Sequence, residues 1–72
     1  MQGLHVVQRP NGWAVHPENV NYDLGVYPTQ QLAFQQGRIQ AQIMGAELFV
    51  HDRHGKIRER NTYGVDPFPP RE

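Results

Sequence analysis

Seventy-two residues allow one domain at most, and a domain of this size hides only about 60% of the surface its unfolded chain exposes, so the core alone supplies little stability. Seven basic and seven acidic side chains cancel, which excludes the strong net positive charge expected of a non-specific nucleic-acid binder. The absence of cysteine excludes disulfide staples and cysteine-based zinc sites, and leaves self-association open as a support for a small scaffold.

The chain starts at Met1 without a basic segment leading into an apolar run, and no stretch approaches the roughly 20 apolar residues of a membrane span. A soluble, cytoplasmic protein with no membrane partner is the expectation. "LHVVQRPNGWAVH" is the clearest local signal: two β-favouring runs flank Pro10-Asn11-Gly12, and Asn-Gly at the centre of a type I′ turn predicts a hairpin. Side-chain alternation then puts Leu4, Val6, Trp13 and Val15 on a core face, and His5, Val7, Arg9, Ala14 and His16 on the other.

Residues 17–27 carry Val20, Tyr22, Leu24 and Val26 at period two, but Pro17 and Gly25 reduce them to an irregular edge strand. Thr29 is placed to cap a helix, and Gly45 to end it in the left-handed conformation. Across that helix Ala33, Phe34, Gly37, Ala41 and Met44 share a broad face of mostly small residues suited to close packing on a sheet. Leu32, Ile39 and Ile43, with Gln36 among them, form a narrow stripe nearly opposite. One sheet can cover only one side, so one stripe is expected at the surface. The alternatives are that the Leu/Ile stripe is the core face, or that the C-terminal tail covers it.

"AELFVHDRHGKIRER" predicts a second hairpin turning over Asp52 to Gly55. Its expected register pairs Val50 with Ile57 inward, and on the outer face Glu47 with Arg60, Phe49 with Arg58 and His51 with Lys56. Lys56, Arg58 and Arg60 then project from one side beside the Phe49 ring, a minimal nucleic-acid platform, with a solvated outer face as the plainer explanation. Residues 63–72, rich in proline, predict an extended strap anchored by Tyr63 and Phe68, or else a free polyproline ligand. The predicted architecture is α+β in the order β-β-(β)-α-β-β. Its antiparallel sheet has three to four strands, with one helix on one face.

Chemistry-bearing residues are sparse. Nucleophile candidates are scarce, with no Cys, no Ser and two Thr, of which Thr29 is explained as a cap, and Asp23 and Asp66 have no evident partner. No phosphate-cradling glycine loop is present. His5 and His16 make at most half of a metal site, while His51 and His54 straddle the second turn. No enzyme activity, small-molecule substrate, cofactor or metal is expected. The expected function is an interaction module acting through Leu32, Gln36, Ile39 and Ile43, by homodimerisation or by docking to a protein. A weak nucleic-acid contact through Phe49, Lys56, Arg58 and Arg60 is the alternative.

"HVV" at 5–7, "GWAV" at 12–15, Thr29-Gln30, "AELFVH" at 46–51, "GKIRE" at 55–59 and "YGVDPFPP" at 63–70 resemble, in order and over nearly the whole chain, the bacterial domain of unknown function 2188 family. The resemblance implies a small α+β fold and no particular reaction. It also implies a charged residue where Leu32 stands, and polar residues at Ile39 and Ile43. The departures thus fall in the Leu/Ile stripe.

Overall fold

A computed structural model describes residues 3–63. Its elements are β1 (Gly3–Arg9), β2 (Gly12–Pro17), β3 (Gly25–Tyr27), α1 (Gln30–Met44), β4 (Glu47–His51) and β5 (Ile57–Thr62). They build one five-stranded sheet in the order β3-β2-β1-β4-β5, with α1 across one face. β1 and β4 are parallel and the other three neighbour pairs antiparallel.

The α+β class and the single helix agree with expectation; the purely antiparallel sheet of three to four strands does not. Two antiparallel steps, β1 to β2 and β2 to β3, return β3 to the direction of β1. A single helix then carries the chain back over the sheet, so the next strand again runs that way. β4, seated beside β1, is therefore parallel to it.

The first hairpin turns one residue earlier than Asn-Gly suggests. Arg9 pairs with Gly12, so Pro10 and Asn11 occupy the turn. Asn19 is the one non-glycine residue with positive φ among the described residues, so Asn11 does not adopt the type I′ geometry. Proline's fixed φ near −65° suits the first central position of an ordinary turn instead. Gly12 follows at φ 143°, with the carbonyl oxygen of Tyr27 directly against the place a Cβ would take. Because pairing shifts by an even number of residues, the two faces are as the alternation predicts. Leu4, Val6 and Val15 are buried, and Trp13 packs at the edge of the core.

Both helix caps are present. The Thr29 side chain accepts the Leu32 N–H, and Gly45 at φ 65° ends the helix, its N–H and that of Ala46 returning to the Ala41 carbonyl. The residues facing the sheet are Ala33, Gly37 and Ala41, all buried, with Phe34 packed alongside. A Cβ on Gly37 would lie 3.1 Å from Leu48 Cδ1 and 3.5 Å from methyls of Val15 and Val6, so the helix rests almost directly on the side chains of three strands. Met44, expected on this face, is 42% exposed: it is the last helical residue and overhangs the sheet.

The expected edge strand over residues 17–27 shrinks to Gly25–Tyr27; Pro17 ends β2, and residues 18–24 between them form turns and bends. The second hairpin also departs from its predicted register. Lys56 joins the turn, a bulge falls between Val50 and His51, and the pairs are Phe49 with Arg60, Val50 with Glu59 and His51 with Ile57. Ile57, expected inward beside Val50, is 56% exposed. Tyr63 packs on the core, its N–H bonded to the Ala46 carbonyl; the rest of the expected strap, residues 64–72, lies outside the described residues.

Gly12→Ala is expected to lower stability by about 1–3 kcal/mol, since alanine there meets both an unfavourable φ and the Tyr27 carbonyl. Urea unfolding measures this. An unchanged midpoint would mean that the backbone relaxes freely there and that the contact constrains nothing.

Candidate functional site

Two surfaces stand outside the packing of helix on sheet. On the outer side of α1, Leu32 is 42%, Ile39 45% and Ile43 75% exposed. They form the stripe expected from the sequence, because Ala33, Gly37 and Ala41 have taken the sheet-facing side. Gln35, Gln36, Gln40 and Gln42, all exposed, flank it, and Arg38 is the one ionisable residue of the helix.

The second surface is the sheet face opposite the helix. The Arg9 fork holds Asp23, Nε donating to Oδ2 at 3.0 Å and Nη2 to Oδ1 at 2.9 Å, while His16 Nδ1 lies 2.8 Å from the same Oδ1. His5, next along β1, sits between Glu18 and His51: Nε2 is 2.9 Å from Glu18 Oε2, and Nδ1 is 2.8 Å from His51 Nε2. The Phe49 ring stacks on His5 at 4.9 Å with 18° between planes. His51 Nδ1 completes the chain at 3.1 Å from the Gly55 carbonyl. A side chain on Gly3 would collide with Glu18, whose carboxyl group lies 2.7 Å from the Cβ position.

Alternation correctly places His5, Arg9 and His16 on one face but not their partners. His5 and His16 are direct partners across β1 and β2, yet their rings engage different acids. His51 does not simply flank a turn; parallel pairing of β4 with β1 brings it to His5. Asp23 has two partners, both from the first hairpin. Among the described residues no three His, Asp or Glu side chains gather as a metal cage.

The expected basic row is broken up. Lys56 lies in the turn, where its N–H and that of His54 bond the Asp52 carboxylate. Arg58, at the bulge, turns to the start of the helix and donates to Gln30 Oε1 at 3.1 Å, while Gln30 Nε2 donates to the His51 carbonyl. Only Arg60 stays with Phe49 on the open face. A cleft of about 570 Å³ opens between residues 7–10 and 51–55, past the point where β1 and β4 stop pairing. Arg9 and Asp52 at its sides are already committed to Asp23 and to the turn.

The hydrogen bond from Arg9, reinforced by His16, holds the Asp23 carboxyl below the ordinary aspartate range, and Asp23 in turn raises Arg9. Asp52 is lowered by the backbone N–H groups it accepts, first that of Lys56. A depressed carboxyl stabilises the fold fully above its unfolded value, about pH 4, and loses that contribution as pH falls through the lower folded value. Asp23→Asn is therefore expected to flatten the acid limb of a melting-temperature profile below about pH 4. A limb identical to that of the unaltered chain would show that the Arg9–Asp23 pair contributes nothing to acid stability.

No helix among the described residues is long and apolar enough to cross a membrane. No curated protein and no solved structure is significantly similar to the chain. The model of one bacterial family covers residues 4–63, which carry both the helix stripe and the histidine face, and the chain therefore belongs to that family, described as "Uncharacterized protein conserved in bacteria (DUF2188)".

Proposed function

We propose that the protein is a small non-enzymatic interaction module that pairs with a second copy of itself through the outer stripe of α1. The observation that carries this reading is the exposure of Leu32, Ile39 and Ile43 on a helix whose other side is already buried against the sheet. A second copy suits the stripe better than a charged partner. Glutamine amides both donate and accept, so a glutamine-framed surface complements itself, and a lone Arg38 supplies little like-charge repulsion.

In a two-fold antiparallel arrangement Leu32 of one copy meets Ile43 of the other, with Gln36 and Ile39 near the axis. The twelve residues from Leu32 to Ile43, eleven helical rises, span about 16 Å, so the contact falls below the roughly 1,200 Å² of a stable complex and the association is weak. A heterologous protein partner would use the same residues.

A second reading, weak nucleic-acid binding, is supported by Phe49 stacked on His5 with Arg60 opposite. It no longer draws on Lys56 or Arg58, and Glu18, Asp23 and Glu47 share or border that face. Such binding would weaken with salt and with Arg60→Glu, whereas helix pairing tolerates both.

Sedimentation equilibrium of residues 1–72 tests the proposal. A concentration-dependent monomer–dimer equilibrium is expected, with Ile39→Gln plus Ile43→Gln raising its dissociation constant by at least about tenfold while leaving the melting temperature of the monomer unchanged. A monomer at every concentration, indifferent to the double substitution, would overturn it.

A further inference from the structure

His5 and His51 meet nitrogen to nitrogen across the two parallel strands, 2.8 Å apart, and the outer nitrogen of each ring is also engaged. His51 Nδ1 faces the Gly55 carbonyl oxygen, which only accepts, so that nitrogen carries a hydrogen. His5 Nε2 faces the Glu18 carboxylate, which when ionised also only accepts, so that nitrogen carries one too. A neutral imidazole has a single N–H, and both are now spent on outer contacts. The inner contact still needs a hydrogen, because two lone pairs or two N–H groups repel at that distance. Three contacts require three hydrogens, one more than two neutral rings and a carboxylate possess. Placing the hydrogen on Glu18 instead of His5 leaves the count unchanged.

We propose that His5 and His51 form a binding site for one proton, which the two rings share as a pair of single positive charge with Glu18 as counterion. This contact clamps β1 to β4 over a bounded window of pH. Loss of the proton leaves lone pair against lone pair. Gain of another sets two N–H groups and two like charges against each other. In both states the inner contact opens, while the outer ones survive as charge-assisted or carbonyl hydrogen bonds.

The surroundings suit one positive charge. Phe49 covers one side of the His5 ring, and His16, the cross-strand partner of His5, is turned to Asp23. Arg9 cancels Asp23, and Asp52 is occupied by the N–H groups of its own turn, which also holds Lys56. Glu18 itself faces the His5 ring, and Glu47 and Arg60 lie on the same face. From the helix, the neutral Gln30 amide reaches His51 at its carbonyl.

Nitrogen-15 NMR of the imidazole rings in the full chain, titrated from about pH 4 to 9, tests the proposal. The pair is expected to take up its protons in two separate one-proton steps. Between them, His5 Nε2 and His51 Nδ1 are both protonated and a single hydrogen couples the facing nitrogens. Glu18→Gln should move the upper step to lower pH, and His51→Gln should leave His5 with one step. The melting temperature of the unaltered chain, relative to His51→Gln, should peak between the steps and fall on either side. Independent single-step titration of the two rings would overturn the proposal, as would an upper step indifferent to Glu18→Gln. The first result needs no variant, so failure of a substituted chain to fold leaves the test intact.

Discussion

The close seating of α1 on the sheet governs much of this structure. Ala33, Gly37 and Ala41 let the helix approach until a Cβ on Gly37 would meet the side chains of Leu48, Val15 and Val6. Bulky residues on that side would lift the helix off, and with nine buried apolar residues among the described ones the core has little to lose. One consequence is that the large aliphatics of the helix stand outward. Small residues facing in and large ones facing out reverse the usual pattern of a surface helix, and this inversion makes the outer stripe a candidate for a second copy.

The same seating leaves the other sheet face without a helix among the described residues. There a set of ionisable side chains is held by partners from different parts of the chain: Arg9 and His16 on Asp23, His5 between Glu18 and His51. Each link spans separate elements. The Arg9–Asp23 pair fastens the 18–24 loop to the first hairpin, and the histidine contact joins β1 to β4 beside the backbone ladder. Arg58, Gln30 and the His51 carbonyl make a third tie, between the bulge of β5 and the first turn of the helix. In a chain without disulfides, such polar links supplement a small core, though partly exposed ones contribute modestly.

Much of the fold was legible from residues near one another in sequence. Thr29 and Gly45 mark the helix ends because capping is a local hydrogen-bond problem. Alternation along β1 and β2 identifies both faces, and it survives the misplaced turn because the register moved by an even number of residues. The second hairpin was less legible. Its bulge and its longer turn follow from how Asp52 accepts the N–H groups of His54 and Lys56, and a change of one residue there redirects Ile57 and Arg58 while Arg60 keeps its face and changes its partner. The Leu/Ile stripe was readable as a stripe, and the breadth of the Ala/Gly face pointed to the side the sheet would take.

By itself the sequence determined the α+β class, the helix and its caps, the two faces of the first hairpin and the separate aliphatic stripe, all of which follow from periodicity and local bonding. Only the tertiary structure decided that β4 lies parallel beside β1, and with it the meeting of His5 with His51. The physical reason is one of distance along the chain. Residues 46 positions apart leave no mark on each other's neighbours, and their contact exists only once a helix has carried the chain across the sheet and back into register.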